Sequence, residues 1–144
     1  MFSPLRSANK TAILYVEDDE ISRKSLGLII KRRYPEVPLF WAANGKEGLD
    51  MFMLEKPALV ITDIIMPVMD GIEMIQKIRE INPDTCIIVT SASCDVVSFT
   101  HRVELDSRFY LCKPIDISKL FAAIDECLAV QDMAKEEGCS ALAG

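Results

Sequence analysis

A chain of 144 residues is the length of one domain, and half of it is hydrophobic, which excludes an intrinsically disordered protein and supplies apolar surface for a full core. A net charge of -6 disfavours non-specific binding to nucleic acid or to an anionic membrane by this domain. No apolar run approaches the ~20 residues needed to cross a bilayer, and the first residues, MFSPLRSANK, lack the apolar core of a signal peptide, so a cytoplasmic protein is expected.

Residues 1–10 read as a loose arm, 11–130 as the folded domain and 131–144 as a polar, small and acidic tail or the start of a linker. Thr11-Ala12-Ile13-Leu14-Tyr15-Val16 reads as a buried strand ending in Glu17-Asp18-Asp19-Glu20. A helical pattern follows, with Ile21, Ser25, Leu28 and Ile29 on one face. Lys31-Arg32-Arg33 in its last turn complement the helix dipole, and Pro35 stops it. Pro38-Leu39-Phe40-Trp41-Ala42 is a short strand, placed at a sheet edge because Pro38 lacks a donor. Asn44 caps a helix through Leu49, Phe52 and Met53, and Pro57 closes the connection.

The stretch ALVITDIIMPVMDG opens on the unbroken apolar run Ala58-Leu59-Val60-Ile61, continues through Thr62 and Asp63, and turns at Pro67, Asp70 and Gly71 into a helix over 72–81. Cys86-Ile87-Ile88-Val89 is another apolar strand, ending in Thr90-Ser91. Residues 95–105 form the weakest helical pattern, β-branched-rich with Val96, Phe99 and Val103 on one face. Arg108-Phe109-Tyr110-Leu111-Cys112 is a fifth strand, followed by Lys113-Pro114, and Asp116 caps a last helix through Ile117, Leu120, Ile124 and Leu128. Five strands alternating with five helices imply a parallel, doubly wound α/β sheet. Neither GxGxxG nor GxxxxGK[ST] is present, so dinucleotide and P-loop readings lose their support. Cys86, Cys94, Cys112, Cys127 and Cys139 are odd in number and show no CxxC spacing, and are expected to be reduced packing residues, not zinc ligands or disulfides.

In a parallel sheet the strand ends point one way, so Glu17, Asp18, Asp63, Thr90 and Lys113 converge on one edge, where α/β proteins bind ligands. Three close carboxylates repel unless a positive group sits among them. Hard oxygen donors without imidazole or thiolate suit Mg²⁺, and a hydroxyl and a lysine opposite can hold phosphoryl oxygens. Physically this is a phosphoryl-transfer site with a carboxylate as covalent acceptor.

These residues resemble a response-regulator receiver domain of two-component signalling over about residues 12–128. The likeness rests on ILYVEDDE, AANGKEGL, VITDIIMPVMDG, IIVTSAS and FYLCKPID, in order and at family spacing. The resemblance implies a flavodoxin-like sheet of order 2-1-3-4-5, with Asp63 as phosphoacceptor. It implies Mg²⁺ held by Asp18 directly, by Glu17 through water, by Asp63 and by the carbonyl of Ile65. It further implies Thr90 and Lys113 as phosphoryl-binding groups, Tyr110 as a switch aromatic that turns inward when Thr90 moves, and a Lys113-Pro114 bond that is often cis in the family. Ile65 and Ala92 match the positions flanking the path of the hydrolytic water, and neither can hydrogen-bond it. The implied partners are a sensor histidine kinase or phosphotransfer protein and an output domain or downstream protein, with a homodimer as an open alternative. No outside substrate, direct nucleic-acid contact or membrane is expected.

Among the departures, Glu17 replaces a common Asp, Ser91 a usual Ala, Gly48 a usual helix Ala, and Asp106-Ser107-Arg108 a Gly-containing turn. Gly48 is expected to weaken its helix by up to ~1 kcal/mol. Asp19 and Glu20 read as a solvated helix start, His101 as a surface residue, and Met66, Met69 and Met74 as packing groups. A phosphorylation-independent docking module with the same fold is the competing reading, and the intact acidic, hydroxyl and lysine set argues against it.

Overall fold

The computed structural model describes residues 11–66, 68–92 and 106–143, with side chains described except those of Ser107 and of residues 132–143. The elements are β1 (Ile13–Val16), α1 (Glu20–Arg33), β2 (Leu39–Ala42), α2 (Gly45–Glu55), β3 (Leu59–Asp63), α3 (Gly71–Ile81), β4 (Cys86–Ser91), a 3-10 turn (Ser107–Phe109), β5 (Tyr110–Cys112) and α4 (Ile117–Ala143). All strand pairs are parallel, in the order β2-β1-β3-β4-β5. β2 is an edge strand, as Pro38 suggested. The described residues hold four α-helices, and the helix expected over 95–105 lies outside them.

Alternation along the strands sorts the core into two layers. Leu14, Val16, Val60, Ile87, Val89 and Tyr110 face α2 and α3, where Phe52, Met74, Ile75 and Ile78 cover them. Ile13, Tyr15, Leu59, Ile61, Ile88 and Leu111 face α1 and α4, packing on Leu26, Ile30, Leu120, Ile124 and Cys127. Both faces of the sheet are thus covered, which is why its strands read as continuous apolar runs.

Local chemistry sets the element ends. Asp19, Asn44 and Asp70 each accept a hydrogen bond from the backbone N–H three residues on, at 2.8, 2.9 and 2.9 Å. Asp116 accepts from Ser118 N–H at 2.9 Å at the start of α4.

Several expectations need correction. The buried stripe of α1 is Leu26 and Ile30, four apart, whereas Ile21 is 77% and Leu28 51% exposed. The apolar residues outnumber the sites the sheet can cover, so composition misplaces the face. On α2, which runs through Leu49, Phe52 and Met53 as expected, Phe52 is the buried anchor and Met53 is exposed. β5 begins at Tyr110, because the Asp106 side chain and carbonyl accept from Arg108 and Phe109 N–H and wind the preceding residues into the 3-10 turn. Finally, Gly48 is no simple defect. A Cβ there would lie 2.7 Å from Met74 Sδ and 2.9 Å from Val16 Cγ2, so α2 packs against β1 and α3 at a distance only glycine allows.

The last helix runs to Ala143 through the residues read as a tail, in keeping with the helix-favouring Ala, Met, Lys and Glu of that segment. Among the cysteines, Cys86 and Cys127 are free, but Cys112 is disulfide-bonded, contrary to the all-reduced expectation.

Candidate functional site

Strand register builds the site. Val16 lies beside Thr62, so Glu17 and Asp63, the next residues along, meet at the carboxyl edge. Asp63 pairs in register with Thr90, and Ser91 with Cys112. The Lys113 N–H then donates to the Ser91 carbonyl at 2.7 Å. From that anchor on the far edge strand, the Lys113 side chain reaches back across β4.

There its ammonium donates to Asp63 Oδ2 at 2.8 Å and to Glu17 Oε1 at 3.0 Å. The second oxygens are also occupied: Asp63 Oδ1 accepts from Ile64 N–H at 2.7 Å, and Glu17 Oε2 from Asp19 N–H at 3.1 Å. Glu17 and Asp63 are buried, and Asp18 faces solvent. One oxygen from each of the three carboxylates lies within 4.8 Å of the others. Lys113-Pro114 is a cis peptide, as the resemblance implied.

The electrostatics follow from this crowding. Burial raises the Glu17 carboxyl above the usual range, and the Asp19 N–H and Lys113 only partly offset it. Burial also opposes charge on Lys113, yet its hydrogen bonds to Asp63 and Glu17 prevail and hold the ammonium above its ordinary value. The Tyr15 phenol is pushed up by burial and then by the charges of Glu17 and Asp63. With one ammonium set against three carboxyl groups, acid outnumbers base in the cluster, and negative charge is in excess. That charge and its all-oxygen donor set fit a hard divalent cation such as Mg²⁺.

Thr90 is fully buried, and its hydroxyl has no hydrogen-bond partner among the described residues. The Thr90 hydroxyl thus has hydrogen-bonding capacity to spare beside Asp63, its register partner on β3. Tyr110, expected to swing inward, is already only 6% exposed, packed on the side of the sheet facing α2 and α3. The side chain of Ile65 is 76% exposed, and Ala92, just past β4, is also exposed. His101 lies outside the described residues.

Two features went unnoticed in the sequence. Gly71 N–H donates to the Ile64 carbonyl at 2.6 Å, and a Cβ on Gly71 would stand 2.2 Å from the Asp63 carbonyl oxygen. Glycine therefore lets the loop after Asp63 close on itself, and the Asp70-Gly71 pair was its signal. Arg23 donates to the Glu17 carbonyl at 3.0 Å and lays its guanidinium 4.3 Å from the Trp41 ring centre, which ties Trp41 to the acidic loop. Nothing in their spacing announces that contact.

Comparison with known proteins gives one consistent picture. Residues 13–125 match the model of the response regulator receiver domain. The transcriptional regulatory protein CseB of Streptomyces coelicolor is 29% identical over 117 residues, covering 81% of this chain and 49% of that protein. Sporulation initiation phosphotransferase F of Bacillus subtilis is 32% identical over 92 residues, 64% of this chain and 74% of that protein. The chain spans about half the length of the first curated relatives it matches, at 49%, 48% and 49%. Among solved structures, the N-terminal domain of an uncharacterized Wolinella succinogenes protein superposes with a TM-score of 0.76 at 34% identity, covering 87% of this chain and 98% of that one.

Proposed function

The chain belongs to the response-regulator receiver family, and from that premise we propose that it is a signalling switch operated by phosphorylation of Asp63 in the presence of Mg²⁺. The observation that carries this reading is Lys113, which bridges Asp63 and Glu17 from the opposite side of the sheet. A structural ion pair needs one partner. Here one ammonium serves two carboxylates, and it keeps a third N–H without a partner among the described residues.

In the reaction, an Asp63 carboxylate oxygen attacks the phosphorus of a phosphohistidine on a sensor kinase or phosphotransfer protein. The P–O bond forms as the P–N bond breaks, and the imidazole leaves with the electron pair. Lys113 turns a donor toward the incoming phosphoryl oxygens, and the Thr90 hydroxyl gains the acceptor it lacks. Glu17, Asp18, Asp63 and the Ile65 carbonyl would hold Mg²⁺, which when bound neutralises charge on the phosphoryl oxygens. Asp63 is then fixed by the Ile64 N–H, within a loop that Gly71 allows to close.

The signal leaves through Thr90. Drawn toward the phosphoryl group, it pulls on β4 and on the neighbouring Tyr110, and the surface changes for an output domain or downstream protein. Tyr110 is already buried, so phosphorylation stabilises an arrangement the chain can reach without it. The test is incubation with acetyl phosphate and Mg²⁺ followed by intact-mass measurement. One added phosphoryl group is expected on the wild type and none on Asp63→Asn. Labelling of Asp63→Asn, or labelling that EDTA leaves undiminished, refutes the proposal.

A further inference from the structure

The end of the sheet opposite the acidic cluster holds a second reactive group that phosphoryl transfer does not use. Cys86 opens β4, and Cys127 lies on α4 where that helix passes the start of the strand. Both thiols are free. The Cys86 thiol donates to the Cys127 backbone carbonyl oxygen at 3.9 Å, which sets the two cysteines side by side. Gln131, one turn further along α4, directs its Nε2 at the same sulfur from 3.7 Å. The amide is itself held by the Asp84 carbonyl at 3.2 Å and the Ala58 carbonyl at 3.5 Å.

The pair is asymmetric. Cys86 is half-buried and open to solvent, whereas Cys127 is only 1% exposed. Donors aimed at a sulfur favour its thiolate, the form that reacts with oxidants. The bond from Cys127, joined by that from Gln131, outweighs burial and brings the Cys86 thiol down to about 7. Cys127 moves the other way, pushed up first by the same bond and then by burial. One thiol is thus poised to attack and its neighbour is protected until called on.

We propose that Cys86 and Cys127 form a peroxide-responsive thiol pair, in which Cys86 attacks and Cys127 resolves. The Cys86 thiolate attacks one oxygen of hydrogen peroxide and breaks the O–O bond. Sulfur keeps a hydroxyl as sulfenic acid, and the other oxygen leaves as water after taking up a proton. Cys127 then attacks the Cys86 sulfur, the S–O bond breaks, and the hydroxide leaves as water with the Cys127 proton. Two thiols lose two electrons in all, and one peroxide becomes two waters. The product is a covalent strap between the first residue of β4 and the middle of α4, the helix that continues to Ala143. It leaves the acidic edge intact, so oxidation and phosphorylation address opposite ends of one sheet.

The test starts from fully reduced protein, pulses it with hydrogen peroxide, blocks remaining thiols with N-ethylmaleimide and maps peptides without reductant. The expected product is a Cys86–Cys127 crosslink, assigned by fragmentation against the neighbouring Cys94, with loss of both maleimide additions and reversal by dithiothreitol. In Cys127→Ser, Cys86 should accumulate as a sulfenic acid that dimedone captures. Retention of the Cys86 maleimide after the pulse, bonding of Cys86 to another cysteine, or equal dimedone labelling in wild type and Cys127→Ser overturns the proposal. Should Cys127→Ser fail to fold, the wild-type crosslink decides alone.

Discussion

Replacing Thr90 by valine separates what the site contributes to stability from what it contributes to signalling. Valine keeps the β-branched shape and exchanges the hydroxyl for a methyl group. In the structure that hydroxyl is wholly buried and without a partner among the described residues. A buried polar group left unsatisfied costs roughly 1–3 kcal/mol. Thr90→Val should therefore stabilise the unphosphorylated domain by about 1–2 kcal/mol, after allowing for partial relaxation. With an m-value of roughly 1–3 kcal/mol/M in urea, the unfolding midpoint should rise by about 0.3–2 M at unchanged m. The measurement is equilibrium unfolding followed by circular dichroism without phosphodonor. In parallel, beryllofluoride and Mg²⁺ should shift NMR signals across residues 95–105 and 108–112 of the wild type, but only those near Asp63 in Thr90→Val. A loss of stability of 1 kcal/mol or more would mean the hydroxyl is satisfied in solution. Equal spread of shifts in the two proteins would break the link from Thr90 to the surface.

Three other outcomes follow from the same geometry. Gly48→Ala, which helix propensity alone favours by up to ~1 kcal/mol, should instead destabilise the domain by about 1–3 kcal/mol in urea unfolding, since its Cβ would meet Met74 and Val16 at 2.7 and 2.9 Å; a net gain would show that Met74 yields freely. Mg²⁺ should raise the melting temperature of the wild type and do so less in Asp18→Asn and Glu17→Gln, measured by calorimetry; equal shifts in all three would place the ion elsewhere. Ile65→Asn combined with Ala92→Glu should speed phosphoryl loss by roughly 10- to 100-fold, about 1.4–2.7 kcal/mol of barrier, because both positions are exposed and the wild-type side chains cannot orient water; unchanged decay in purified protein with excess Mg²⁺ would remove these positions from the control of lifetime.

The chain made its site legible through one simple pattern. Most strands are apolar runs that end in polar residues at the sheet edge, so Glu17, Asp63, Thr90 and Lys113 could be gathered from the sequence. The caps Asn44 and Asp116 were equally plain, since each acts within three residues of its own position, whereas Asp19 and Asp70 cap their helices without having been read so. What stayed hidden depends on contacts between distant segments. The inner face of α1 follows from where β1 and α4 lie, and its surplus of Ile and Leu disguised it. Gly48 looked like a weak helix residue because Met74 and Val16 come near it only in the fold. The pairing of Cys86 with Cys127, 41 residues away, and the disulfide at Cys112 were invisible for the same reason.

Lys113 meets Glu17 across 96 positions of sequence and Asp63 across 50. During synthesis the two acids leave the ribosome long before the lysine that neutralises them, and β1 and β3 can pair while β5 is still unmade. Until then Glu17 and Asp63 face each other without a cation from the chain, a repulsion that disfavours premature closure of that edge. A nascent or truncated chain lacking β5 therefore carries Asp63 and Glu17 but not the ammonium that bridges them. The edge of the sheet is therefore neutralised only once β5 and Lys113 are in place.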